Sequence, residues 1–290
     1  MANLKELKNK INVIDSTRKV TSAMKLVAGV KLKKAEQKAM SSRDYAAELA
    51  GILSRLRREF LDEKLQIFSG REKIAAEMLI VYSSDRGLCG NFNYLICSNV
   101  SRLIAEAHAG GRAVHVICIG SKARPQIKKM INHRDSVKEE SGFYKNTDLV
   151  QQSMDLARRI LEYFSTTVVD KVSLVYMKSS SVLNRKVEVK TIIPIACEPN
   201  PDNSMTIFEP SAREVLDELI PYNFAIQIYQ AALESVASEQ SSRMTSMDNA
   251  TRNADALLGE FGIKYNRIRQ YKITQELTEV ISGADAITKG

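Results

Sequence analysis

The chain has 290 residues, 44% hydrophobic and 26% charged, with a formal net charge of +8. No apolar run approaches the ~20 residues a membrane-spanning helix needs. The amino-terminal Met-Ala-Asn-Leu-Lys-Glu-Leu-Lys lacks a signal-peptide core, and Glu6 with the early helical periodicity argues against a transit peptide. Trp is absent and aromatics make up only 6%, low for a thick globular core and in keeping with extended helices.

Cys89, Cys97, Cys118 and Cys197 are far apart, with no C-x-x-C pair, and His108, His115 and His133 make no metal-ligand spacing with them. Free thiols in a reducing compartment fit better than a disulfide frame or a zinc site, and no cofactor is expected. The positive charge is concentrated early: residues 1–58 hold fourteen Lys/Arg against five Asp/Glu, whereas residues 222–290 hold seven against eight. Such a segment suits an acidic partner. The aromatic platforms of a single-strand binder are missing, so nucleic acid is not expected, and an acidic protein surface or a plainly solvated helical face remains.

In chain order, residues 1–60 read as one long helix. Leu4, Leu7, Ile11, Ile14, Ala28, Leu32, Ala35, Ala39, Ala46, Leu49, Leu53, Leu56 and Phe60 keep the 3–4 spacing of a coiled-coil seam. The frame asks for apolar residues at 18, 21 and 25 and meets Arg18, Thr21 and Lys25. Apolar residues stand elsewhere, at Val13, Val20, Met24 and Val27, so the stripe is expected to rotate around the helix for two to three turns. Met24 and Lys25 would then face different directions, with at least one turned to an outside surface.

Residues 61–75 read as a linker. From 76 to 200 the pattern is that of an α/β domain: a strand at Ala76–Ser83, a turn at Ser84–Gly90, a helix at Asn91–Ala109, a strand at Ala113–Ile119, a helix at Ser121–Asn132, a third strand near Arg134–Glu140, a helix at Asp148–Phe164, and paired strands at Lys171–Lys178 and Lys186–Ile195. Alternating strands and helices with continuous apolar strands indicate a mostly parallel sheet covered by helices. Pro199–Asn203 is a turn cluster. Residues 208–290 read as a second long helix, opened by Pro210 at its first position and interrupted by Pro221. Met244, Met247, Ala254, Leu258, Phe261, Tyr265 and Ile268 repeat the 3–4 spacing. The expected architecture is an antiparallel coiled coil of the long N- and C-terminal helices with a Rossmann-like α/β domain inserted. Read as one helix, the last eighty residues would be about 100 Å long, more than their own chain can cover.

The turn Ser84-Asp85-Arg86-Gly87-Leu88-Cys89-Gly90 lies between a strand and a helix, where α/β folds bind phosphate. Its spacing is G-x-x-G, without the G-x-G-x-x-G or P-loop pattern, so the nucleotide signal is weak against a structural turn. No nucleophile–base pair, carboxylate pair or metal cluster is evident. An α/β nucleotide-dependent enzyme with helical extensions and a coiled-coil adaptor of another rotary or secretion ATPase remain the competing readings.

Three separated stretches carry a resemblance. The run Ile14–Ala28, the turn Ser84–Gly90, and the C-terminal runs Ser238–Met247 and Tyr265–Leu277 are similar to the signature segments of the F-type ATP synthase gamma subunits, in the same order along essentially the whole chain. That resemblance implies a non-catalytic rotor shaft. Its coiled coil would fill a hexamer of three alpha and three beta subunits, and its base would rest with epsilon on the membrane c-ring. Proton flow would turn ring and shaft together and drive ATP synthesis or hydrolysis on the beta subunits. It further implies beta-subunit contacts at Met24, Lys25, Arg269, Gln270 and Thr274, with Arg269, Gln270 and Thr274 facing the turn at Met24 and Lys25, and a base contact near the ring at Glu209. The expected location is peripheral, on the cytoplasmic face of a bacterial inner membrane, or the matrix face in a mitochondrion.

Overall fold

The computed structural model describes residues 4–60, 63, 65–140, 143–144, 148–179, 185–196 and 208–288, the last four by backbone alone. The elements are α1 (Leu4–Glu59), α2 (Gln66–Ser69), β1 (Ala76–Tyr82), α3 (Phe92–Ala109), β2 (Ala113–Ile119), α4 (Arg124–Ile127), β3 (Ser136–Glu140), α5 (Leu149–Ser165), β4 (Lys171–Ser179), β5 (Arg185–Ile193) and α6 (Ala212–Thr288). They divide into two compact units, one formed by Met1–Ala28 with Met244–Gly290, the other by Gly29–Arg243.

The larger unit is built on a five-stranded sheet in the order β3-β2-β1-β4-β5. β1 runs parallel to β2 and β4, β2 parallel to β3, and β5 returns antiparallel to β4. The strands are apolar on both faces because both are covered. Met78, Ile80 and Tyr82 of β1 enter a core with Leu53 and Leu56 of α1, Leu156 and Ile160 of α5, and Leu216, Ile220, Phe224 and Ile228 of α6. Leu79 and Val81 point the other way, to Phe92, Ile96, Val100 and Ile104 of α3. This alternation is the two-residue period of a strand sandwiched between helix layers. The long helices flanking a Rossmann-like α/β insertion are therefore as the sequence indicates. Tyr82 reaches across the first core, its hydroxyl donating to the Ile228 carbonyl at 3.0 Å.

Three expectations need correction. The helix expected over Ser121–Asn132 is a single turn, α4. Asp135 draws the following chain into a turn instead. Its carboxylate accepts from the Asn132 amide at 2.7 Å and the Val114 amide at 2.8 Å, and lies 2.9 Å from His108 Nε2. The second long helix opens at Ala212, not at Pro210. Ser211 caps it: its hydroxyl accepts from the Glu214 amide at 3.3 Å and donates to the Glu214 carboxylate at 2.9 Å. The stretch read as a linker carries α2, whose Phe68 is buried in the first core. The turn cluster at Pro199–Asn203 and Cys197 lie outside the described residues.

Arg71 ties this connecting stretch down. Its guanidinium donates to Asp170 Oδ1 at 2.7 Å and to the Phe164 carbonyl at 2.7 Å, and lies 4.7 Å from the Phe164 ring centroid. Asp170 Oδ2 accepts from the Ala75 and Ala76 amides at 2.6 and 3.0 Å. Burial works to raise the Asp170 pKa, but Arg71 and the two amides outweigh it and hold the carboxyl below its ordinary range. Beyond β2, Gly120 has φ +91°, and a Cβ there would lie 2.1 Å from the Ser83 carbonyl oxygen. Only glycine fits that approach between β1 and β2.

Candidate functional site

In α1 the seam never shifts. Leu7, Thr21, Ala28, Leu32, Ala35, Ala39, Ser42, Leu49, Leu53 and Leu56 are buried on one 3–4 spacing, with Ile11, Ile14, Arg18 and Lys25 half-buried between them. The expected rotation of the stripe does not occur. Val13, Val20 and Val27 stay outside, 64%, 57% and 55% exposed. Leaving a valine in water forgoes roughly 1.5 kcal/mol of burial, so the polar layers must be matched across the seam. Within the smaller unit they are. The hydroxyls of Thr21 and Thr251 share a 2.8 Å hydrogen bond. Lys25 Nζ lies 2.6 Å from Asp248 Oδ1, and Arg18 Nη1 lies 3.2 Å from Asp255 Oδ1. Arg252 holds the other Asp248 oxygen at 2.8 Å. Asp15 is shared by Arg18 and Lys19, each at 2.8 Å. The hydrogen bond from Lys25 holds the Asp248 pKa below the usual range, and Lys19 does the same for Asp15.

These pairs run antiparallel. Continued outward, their register sets Leu4 opposite the turn around Ile268 and Arg269. Arg269 is then about 30 Å along α6 from Asp248. The structure therefore does not bring Arg269, Gln270 and Thr274 to face Met24 and Lys25. The two groups sit at different heights of the same unit, because antiparallel pairing sets the first turn of α1, not Met24 and Lys25, against the stretch around Arg269. Met24 is half-buried, and the Lys25 cation is engaged by Asp248. Arg269, Gln270 and Thr274 are all exposed. The Thr274 hydroxyl donates to the Gln270 carbonyl at 3.0 Å, and among the described residues the Arg269 and Gln270 side chains make no hydrogen bond. From Tyr271 to Ala284 every residue is exposed, including Tyr271, Ile273, Leu277, Val280 and Ile281. Such a row of uncovered apolar side chains marks a surface made for a partner. Among the described helices none is long and apolar enough to cross a membrane. Glu209 is exposed in the stretch before α6.

In the larger unit the Ser84–Gly90 turn is held by its own neighbours. Asn93 accepts from the Ser84 amide at 3.1 Å and donates to the Ser84 hydroxyl at 2.8 Å. Asp85 Oδ1 accepts from the Ser121 amide at 3.3 Å. The carbonyls of Arg86 and Gly87 both accept from Arg243 Nη2 at 3.2 Å. Arg243 is in turn 2.6 Å from Glu239, each side chain about one-tenth exposed. Burial raises the Glu239 pKa, and Arg243 opposes it. The Ser84 amide and the Arg86 and Gly87 carbonyls are thus taken up by neighbouring side chains. The sequence reading took in Glu239 and Arg243 only as part of the run Ser238–Met247 and gave neither a role. The available signal was an unbroken run, Ser238 to Arg243, of polar residues in a helix that has to pack; all six are buried. Ser238 donates to the Met177 carbonyl at 2.8 Å, and Arg185 at the start of β5 donates to Ser242.

The family model for ATP synthase matches residues 3–287. A protein of Fuscovulum blasticum named ATP synthase gamma chain is 35% identical over 292 residues, spanning 99% of this chain and all of that one. The protein of the same name from Geobacter metallireducens is 35% identical over 290 residues, with 99% of each chain covered. Among solved structures, the central stalk and c-ring of Tetrahymena thermophila mitochondrial ATP synthase contains a chain matched with a TM-score of 0.61 at 22% identity, covering 80% of this chain and 99% of that one. The OSCP/F1/c-ring assembly of Euglena gracilis mitochondrial ATP synthase gives a TM-score of 0.64 at 15% identity, with 98% and 94% covered. The structural matches agree in fold, and the matches in sequence run nearly end to end: the chain belongs to the ATP synthase gamma chain family.

Proposed function

We propose that the chain is the central rotor shaft of an F-type ATP synthase. It couples proton flow through a membrane ring to ATP synthesis or hydrolysis on the beta subunits. The observation that carries this reading is the C-terminal part of α6, exposed on all sides yet studded with Tyr271, Ile273, Leu277, Val280 and Ile281. Such a helix needs an apolar sleeve, and a hexamer of alpha and beta subunits supplies one. A shaft that is not threefold symmetric touches three equivalent catalytic subunits differently, and each is biased by its own contact energy. In this reading the ATP chemistry belongs to beta, and this chain contributes no catalytic group.

Arg269, Gln270 and Thr274, all exposed, would then contact a beta-subunit loop. Met24 and Lys25 would meet an acidic beta segment lower on the shaft, Lys25 through whatever share of its charge Asp248 leaves. Glu209 would lie near the ring, with epsilon on the same base. The complex would sit peripherally at the cytoplasmic face of a bacterial inner membrane, or at the matrix face in a mitochondrion. Coexpression with the cognate alpha and beta subunits tests the reading. An assembly in a three-three-one ratio that hydrolyses ATP and turns supports it. Alpha and beta subunits that assemble and rotate without this chain refute it.

A further inference from the structure

The N-terminal third of α1 carries two competing stripes. One consists of Arg18, Thr21 and Lys25, the other of Val20, Met24 and Val27, one position back and in line with Val13. The two stripes are separated by one residue, a rotation of about 100° around the helix. Hydrophobic burial alone favours the second. The structure places the first inside, with Val13, Val20 and Val27 exposed and Thr21 buried. The difference lies on α6. Opposite this stretch Asp248, Thr251 and Asp255 flank the buried Met247 and Ala254 and meet Lys25, Thr21 and Arg18 in that order.

We propose that Asp248, Thr251 and Asp255 select the rotational phase of α1, holding its polar stripe against α6 and so presenting the valine stripe outward. Turning the valines inward would take Lys25, Thr21 and Arg18 away from Asp248, Thr251 and Asp255 and break all three cross-helix pairs. A single polar layer in a coiled-coil seam is known to fix which arrangement is adopted at some cost in stability. Here three successive cross-helix pairs act together, the two threonine hydroxyls joined at 2.8 Å between the two ion pairs. Rotation, unlike sliding, is open to a continuous helix, because a local over- or underwinding absorbs it. Arg252 and Asp15 brace the arrangement from outside the seam, at 2.8 Å from Asp248 and Arg18. The phase is a property of the chain itself and holds whatever surrounds it.

The test is thiol labelling of the purified full chain, with Val20→Cys or Val27→Cys as reporter and a maleimide as probe. With α6 unchanged, both reporters label at the rate of an exposed thiol. With Asp248→Leu, Thr251→Leu and Asp255→Leu combined, the α6 partners of Lys25, Thr21 and Arg18 become apolar. The expected result is at least tenfold slower labelling at both positions with helical content retained. Unchanged labelling in a helical triple variant overturns the proposal. Should the triple variant lose its helical content, Lys25→Asp alone and Lys25→Asp with Asp248→Lys carry the test. The single change is expected to slow labelling at position 20 at least threefold, and the exchanged pair to restore it. Equal rates in the single and exchanged variants count against phase selection.

Discussion

Arg243 lies one helical turn from Glu239, 2.6 Å from its carboxylate, and the same guanidinium spans the carbonyls of Arg86 and Gly87. One side chain thus joins α6 to the tip of the turn after β1. Replacing it by alanine leaves a buried carboxylate and two carbonyls without their donor. Arg243→Ala is expected to destabilise the chain by about 3 kcal/mol or more. Arg243→Lys should cost less, since it keeps the charge and loses the fork. Urea unfolding followed by circular dichroism gives both values, and limited proteolysis should show the Ser84–Gly90 turn opening first.

Arg71 and Asp170 make the second testable pair. Because the Asp170 pKa is depressed in the folded chain, its contribution is present above the unfolded carboxyl pKa near 4 and disappears as pH falls through the folded value. Stability should therefore drop on acidification below about pH 4, and Asp170→Asn should flatten that part of the profile. Arg71→Ala should cost about 3 kcal/mol at neutral pH. A profile of Asp170→Asn that still matches the wild type below pH 4 would exclude Asp170 as the source.

Gly120 forbids a side chain on two independent grounds, its positive φ and the contact with Ser83. Gly120→Ala is expected to destabilise by well over about 1 kcal/mol. Gly111, also at positive φ but with nothing near its missing Cβ, should lose less on the same change. Thermal unfolding of the two variants side by side separates steric clash from backbone strain.

Arg269→Ala with Gln270→Ala should leave stability within about 0.5 kcal/mol, because both side chains are exposed. In the assembled complex, ATP synthesis should fall by a larger factor than assembly does. Normal coupled synthesis at normal assembly would count against these residues as contacts.

The sheet, the paired last strands and both long helices were legible in the sequence, because each depends on a period that one segment carries by itself. The seam through Arg18, Thr21 and Lys25 was not. A rule that scores apolar residues on one helix cannot see that Asp248, Thr251 and Asp255 wait on the other. The short α4 was misjudged for a similar reason. Its extent is set by Asp135, a residue outside the helical pattern, which captures Asn132. Arg269, Gln270 and Thr274, proposed as contacts, came through resemblance alone, since an exposed polar side chain has no local signature of its partner.

The unbroken 3–4 spacing of α1, from Leu7 to Leu56, has a mechanical side. A sustained seven-residue repeat is slightly underwound relative to the α-helix and imposes a left-handed supercoil. A pair of helices wound in one hand answers torque unequally. Twist in one sense tightens the seam and presses its leucines and alanines together, while twist in the other draws them apart. The polar layers at Thr21 and Thr251, whose hydrogen bond tolerates little displacement, are where opening in the slack direction would first be resisted. Paired helices of this repeat are expected to be stiffer under twist in one sense than in the other.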